Sequence, residues 1–220
     1  MILYGNSMSP FVRKAMAFAH EKGIDLTFER AGLGGGSPEF HEASPFKKMP
    51  AFRDPGADHG KDFVISDSTA IITYLEAKFP EPNLIPTEPM ARARTIWFEE
   101  FSDTMFVACG GKIFFNRLVA PKFLKREGDL AAADAAEANE LPPLLDYLEG
   151  VIPASGFLVE DRITLADLAV ASPFVNLSHC SDPIDAARWP KTAAYVAAIL
   201  ARPSFAPIVA AEQAMVAAMA

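Results

Sequence analysis

Apolar and polar positions change rhythm along this chain, and the change divides it in two. Residues 2–4 (Ile-Leu-Tyr) form a short apolar run, and a helical period from Pro10 to Lys22 then repeats through Phe11, Ala15, Phe18 and Ala19. Gly23 supplies the stop, and Leu26-Thr27-Phe28-Glu29-Arg30 returns to a strand-like pattern. A strand, a helix and a strand in that order predict a parallel pair joined by a right-handed crossover. The next stretch, "GLGGGSPEF", carries three consecutive glycines and is expected to be a mobile loop leading into at most a short helix near 38–43. "MPAFRD" and "DFVIS" then read as two short strands joined by the turn-rich "PGADHGK". A helix is expected over 67–78, with Ile71, Ile72, Leu75 and Phe79 along one face and Pro80 as its end.

The segment "FPEPNLIPTEP" has four prolines in eleven residues and neither period, so it reads as a linker. The predicted division is a mixed α/β domain over 1–80, a linker over 81–87 and an all-helical domain over 88–220. Helices are expected near 88–118, 129–150, 164–176, 190–201 and 204–217. Gly110-Gly111, Pro142-Pro143 and Pro173 are expected to bend or interrupt the first, second and third of these. In "RITLADLAVAS", Thr164 and Asp167 have the spacing of a capping box, and Ile163 and Leu168 that of a hydrophobic staple. These are folding signals.

At 220 residues, half of them hydrophobic, the chain can bury a large core, and disorder is excluded. A net charge of -8, from 28 acidic and 20 basic residues, argues against binding nucleic acid or an anionic membrane, both of which depend on clustered Lys and Arg. "MILYGNSMSP" lacks the basic start and long apolar core of a signal peptide, and no apolar run approaches the ~18 residues of a membrane span. A cytoplasmic location is therefore expected. Cys109 and Cys180 form no C-x-x-C pair, and His20, His41, His59 and His179 show no metal-ligand spacing, so no metal is expected.

The chemistry concentrates in "SMSPF", Ser7 to Phe11, where strand gives way to helix. A serine before a proline at a helix start can be a simple cap. A hydroxyl at a helix N-terminus can also hold an anion. Residue types alone leave both readings open.

Taken in order, "SPFVRK", "KKMPAF", "ISDSTAIITYL", "ITLADLAVA" and "WPKTAAYVAAILARPSF" resemble the cytosolic glutathione transferase superfamily over nearly the whole chain. The resemblance implies a thioredoxin-like glutathione domain followed by an all-helical partner domain. Ser9 before Pro10-Phe11 is similar to the serine-type plant tau class and stands where omega-type members carry a cysteine. Thiol-disulfide transfer, which needs that nucleophile, is accordingly disfavoured.

The implied function is activation of the thiol of glutathione, as cosubstrate, for attack on a small hydrophobic electrophile in detoxification. Peroxide reduction, dehalogenation and a non-catalytic binding module are the alternatives. Ser9 is the expected thiolate partner, Ser7 the runner-up and Tyr4 less suited. Met49 and Pro50, the latter cis as in the family, are expected to pair with the cysteinyl backbone. Asp67 and Ser68 are expected to take the γ-glutamyl ammonium and carboxylate, and Lys48 the glycine carboxylate, with Lys47 and Arg13 as weaker candidates. Phe11, Met105 and Phe106 are expected to line the electrophile pocket, placed between the domains. A homodimer is implied as well.

Overall fold

A computed structural model describes residues 1–32, 35–181 and 184–219. Gly34, on which the mobile-loop expectation partly rests, lies outside them. The chain divides into two compact units, Met1–Leu84 and Ile85–Ala220.

The first unit runs β1 (Ile2–Gly5), α1 (Pro10–Glu21), β2 (Thr27–Arg30), α2 (Pro38–Ala43), β3 (Ala51–Asp58), β4 (Lys61–Ser66) and α3 (Ser68–Lys78). Its four strands lie in the order β2-β1-β3-β4, with β1 and β2 parallel and the other two pairs antiparallel. Neighbouring residues of β1 point to opposite faces. Tyr4 joins Phe40 and Ala43 of α2 in one buried cluster, while Leu3 of β1 and Val12, Phe18, Ile71 and Leu75 of α1 and α3 are fully buried. The Tyr4 hydroxyl accepts from Arg53 Nε at 3.3 Å inside this core, so it is removed as a thiol contact.

β3 and β4 run further than the turn-rich "PGADHGK" suggests, because only His59 and Gly60, both at positive φ, make the reversal. Gly56, at φ 72, lets β3 shift register between Asp54 and Asp58 while its chain stays extended. α3 ends at Lys78 as expected, with Phe79 outside it as the cap.

The segment after α3 is stitched down. The buried Lys22 ammonium donates to Glu76 Oε2 and to the Pro82 carbonyl, both at 2.7 Å. The other Glu76 oxygen accepts from Asn83 Nδ2 at 2.8 Å and Leu84 N–H at 3.1 Å.

The second unit is helical: α4 (Pro89–Glu100), α5 (Val107–Phe114), α6 (Leu130–Ala135), α7 (Leu141–Val151), α8 (Leu165–Ser178), α9 (Pro190–Leu200) and α10 (Ala206–Ala217). Wider π-type turns occupy Phe101–Phe106, Phe115–Phe123 and Ala136–Glu140. The irregularity therefore misses Gly110-Gly111, which lie inside α5, and the first helical stretch runs on to Phe123. Pro142-Pro143 behave as expected, since they stand in the first turn of α7, which begins at Leu141 directly after a wide turn.

Pro173 does not interrupt α8, whose residues from Leu165 to Leu177 are all buried. Proline has no N–H for the carbonyl four residues back, and here that carbonyl is Ala169. Ser102 Oγ donates to it instead, at 2.7 Å.

The predicted capping box is present at the start of α8: Thr164 N–H donates to Asp167 Oδ2 at 2.9 Å. Asp167 also accepts from Leu158 N–H at 2.9 Å and from the buried Tyr195 hydroxyl at 3.2 Å.

Candidate functional site

The link from β1 to α1 is built by Asn6. Its carbonyl accepts the Ser9 N–H at 2.9 Å, and its side-chain oxygen accepts the Met8 N–H at 3.0 Å. This Asx turn sets Ser9 at the N-cap of α1 with φ -79 and ψ 125. Its backbone carbonyl accepts the Arg13 N–H, but its hydroxyl caps none of the first-turn amides. Of the two readings of "SMSPF", the simple side-chain cap is thereby removed. Ser7 and Ser9 are both half-buried.

A cavity of about 330 Å³ opens in this unit, lined by Phe11, Phe46, Lys48, Met49, Pro50, Ser66, Asp67 and Ser68. Three separated segments meet there: the first turn of α1, the approach to β3 and the start of α3. Of the sequence candidates, Phe11, Lys48, Met49, Pro50, Asp67 and Ser68 are brought together. Ser9 and Ser7 stand outside the lining, Ser9 two residues before Phe11.

The approach to β3 is shaped by Ser44, a buried residue. Its hydroxyl donates to the Lys48 carbonyl at 2.6 Å and accepts the Lys48 N–H at 2.9 Å, closing a loop that carries the 83% exposed Phe46. The Met49-Pro50 peptide is cis. The Pro50 carbonyl accepts the Asp67 N–H at 3.2 Å, which ties this loop to the start of α3. Lys47, exposed at φ 55, lies outside the lining. Arg13 is fully buried.

At the start of α3, Asp67 is the N-cap. Its Oδ1 accepts from Thr69 N–H at 2.9 Å and Ala70 N–H at 3.1 Å. Ser68 is 3% exposed and lines the cavity. The charged groups of the lining are one cation, Lys48, and one anion, Asp67.

α2 is braced from behind by Arg53. Its guanidinium holds Glu42 at 2.5 Å and Asp62 at 2.6 Å, and the Asp62 carboxyl is held below its usual range by that bond.

In the helical unit, Phe106 is 1% exposed, with its ring centroid 4.5 Å from that of Phe174, so it is a core side chain and offers no pocket wall. Met105 beside it is 50% exposed.

Sequence reasoning passed over Asn6, Ser44, Phe46 and Ser66. Asn6 had a readable signal, since an asparagine side chain at a strand end commonly accepts the backbone N–H two residues on, here that of Met8, as an Asx turn. Ser44 and Phe46 had none, because their roles depend on how the loop closes.

The arrangement can hold a ligand carrying an anion at the α3 start and another near Lys48, with an extended segment along Met49. No His or Cys lines the cavity. Among the described residues no cluster of His, Cys, Asp and Glu fits a metal ion, and no helix is long and apolar enough to cross a membrane.

Comparison with known proteins agrees with this geometry. The profile of the glutathione S-transferase N-terminal domain matches residues 3–83, and that of the C-terminal domain matches residues 114–210. Glutathione S-transferase 3 of Zea mays is 31% identical over 215 residues, covering 95% of this chain and 93% of its own. The structure of glutathione S-transferase III in its apo form superposes with a TM-score of 0.78 at 30% identity, covering 96% and 95% of the two chains. A glutathione S-transferase from Rhodospirillum rubrum, 24% identical, shares the fold with a TM-score of 0.82 over 94% of this chain and 90% of its own.

Proposed function

The chain belongs to the glutathione S-transferase family, and from that premise we propose that it is a glutathione transferase joining the sulfur of glutathione to a small hydrophobic electrophile. The observation that carries this reading is the cavity itself. It collects Lys48, Met49-Pro50 and Ser68 from distant parts of the sequence beside the turn of Ser9.

In this reading the γ-glutamyl carboxylate sits at the start of α3, on Ser68 N–H and Oγ, where the helix end favours negative charge. The cysteinyl segment runs along Met49 as a short added strand. The glycine carboxylate pairs with Lys48.

The sulfur comes to the N-terminus of α1, where the Ser9 hydroxyl donates to it. A thiol with a pKa near ~8.5 is only a few per cent ionised at neutral pH. A hydrogen bond to a charged partner contributes about 1.5–3 kcal/mol and a helix N-terminus about 0.3–1 kcal/mol. Together they lower the thiol pKa by roughly one to three units. The thiol proton leaves to solvent, and the thiolate forms the new bond to the electrophilic carbon. That step either expels a leaving group with its electron pair or makes a carbanion that takes a proton from water. Serine remains a hydrogen-bond donor throughout.

Phe11, in the lining of the cavity, is the apolar group we assign to the electrophile. The exposed Met90 and Trp97 give the helical unit apolar surface for a second copy, in keeping with a cytoplasmic homodimer acting in detoxification. Calorimetry with glutathione tests the reading. Binding in the micromolar to millimolar range supports it, followed by turnover in a spectrophotometric screen of generic electrophiles. No binding at several millimolar glutathione would leave only the non-catalytic module.

A further inference from the structure

The glycine-rich run after β2 has no part in the chemistry above, yet its first glycine bears on the cavity. Ala31 continues the pairing of β2, its N–H held by the Gly5 carbonyl at 2.9 Å, and Gly32 follows at φ 112, in the left-handed region. Gly32 and Gly35 exchange both backbone hydrogen bonds: Gly32 N–H donates at 2.8 Å and Gly35 N–H at 3.1 Å. The place where a side chain at residue 32 would stand is taken by Met49. A Cβ on Gly32 would lie 2.6 Å from the Met49 sulfur and 2.8 Å from its terminal methyl carbon, closer than side chains pack.

Met49 lines the cavity, and the residues on either side of it are tied down. The Ser44 hydroxyl clasps Lys48 through its N–H and carbonyl, and the Pro50 carbonyl accepts the Asp67 N–H. Among the described residues no backbone hydrogen bond reaches the Met49 N–H or carbonyl. That edge is open to a ligand, and the Met49 side chain is left to fix it. A thioether on three rotatable bonds adapts to the gap it is offered, and here the gap is the bare backbone of Gly32.

We propose that Gly32 is a positioning residue of the glutathione site: carrying no side chain, it seats the Met49 thioether, and the seated thioether holds the Met49 backbone where the cysteinyl segment pairs. A side chain at residue 32 displaces the sulfur and, through it, that edge. This rests on the glutathione reading above and adds to the same site a residue from outside the cavity lining.

The test is calorimetric titration of glutathione into the full chain, Gly32→Ala, Met49→Ala and the double variant, with a thermal melt of each. Gly32→Ala is expected to weaken glutathione at least about fivefold, and Met49→Ala to do the same by emptying the seat. In the Met49→Ala background the methyl group at residue 32 meets no sulfur, so adding Gly32→Ala is expected to change Kd by less than about twofold. The backbone strain of an alanine at φ 112 is present in both backgrounds, so its cost in melting temperature persists while its cost in affinity disappears. Either single variant binding glutathione less than fivefold more weakly than the parent overturns the proposal, as does a twofold or greater further loss in the double variant. If Gly32→Ala does not fold, Met49→Ala decides alone, since it asks for no side chain at a left-handed position. These outcomes leave the functional reading standing. If glutathione does not bind the unmodified chain, that reading falls and takes this one with it.

Discussion

Ser102→Ala removes one buried oxygen, and the structure fixes what that oxygen does. Pro173 has no N–H for the Ala169 carbonyl, so in α8 that carbonyl depends on Ser102 Oγ at 2.7 Å. Ser102 and Ala169 are each 1% exposed, and water cannot replace the hydroxyl readily. A buried acceptor left without a partner costs about 1–3 kcal/mol. Pro173→Ala supplies the missing amide from the helix itself. In that background the same Ser102→Ala change removes a second bond to an already satisfied carbonyl, at about 0.5–1 kcal/mol. The mid-values of the two costs therefore differ by roughly 1 kcal/mol, a coupling within the range seen for residues sharing a partner. The assay is urea unfolding of the parent, both single variants and the double variant. Tryptophan fluorescence is the signal, because both tryptophans, Trp97 and Trp189, lie in the helical unit and report on it alone. Equal costs for Ser102→Ala in the two backgrounds, within ~0.3 kcal/mol, would refute the substitute-donor account.

Ser9→Ala is expected to raise the pH at which bound glutathione ionises by about one to two units, followed by thiolate ultraviolet absorbance. It should leave the melting temperature unchanged, because the hydroxyl caps no amide of α1. An unchanged titration removes Ser9 from the mechanism. Burial pushes the Cys109 and Cys180 thiols up to about 11, so the native chain should resist alkylation at neutral pH and react only when unfolded. Mass spectrometry showing rapid labelling of either cysteine would contradict this. Burial also pushes the Asp167 carboxyl up to about 6 from 3.8, against its hydrogen-bond donors. The fold thus favours its protonated form: the contribution to stability is full below about pH 4 and is lost as pH rises through about 6, amounting to about 3 kcal/mol. Asp167→Asn should flatten that part of the stability profile, and an identical pH dependence in the variant would refute the assignment.

What could be read from the sequence was what is decided locally. The helices from Pro10, Pro190 and Ala206 follow from apolar period and proline starts, and the Thr164-Asp167 pair from its three-residue spacing. Tyr195, which completes that pair from 28 residues away, leaves no local trace. Gly110-Gly111 and Pro173 of the helical domain misled for a related reason. Gly110 sits unbroken in α5 with Leu177 packed near it, and Pro173 is tolerated because a serine on another segment donates in its place. A breaker's effect depends on what stands opposite it.

In the site, Lys48, Met49-Pro50 and Asp67-Ser68 could be placed through the motifs that resemble the family, and the cavity gathers them. The role of the Ser9 hydroxyl, cap or contact, was open on residue type alone. It is narrowed by geometry, since the Asn6 turn fixes the backbone and leaves the side chain without capping duty. Phe106 was misplaced because a helix rich in large apolar residues does not reveal which of them face its neighbours.

The clasp of Lys22, Glu76, Pro82, Asn83 and Leu84 bears on anyone who would dissect the molecule. Cutting at Pro80, where the proline spacing suggests a linker, would strip a fully enclosed ammonium of one acceptor and take the Asn83 and Leu84 donors from Glu76. The natural seam falls after Leu84, and a fusion or truncation intended to keep the first unit intact must carry the chain that far.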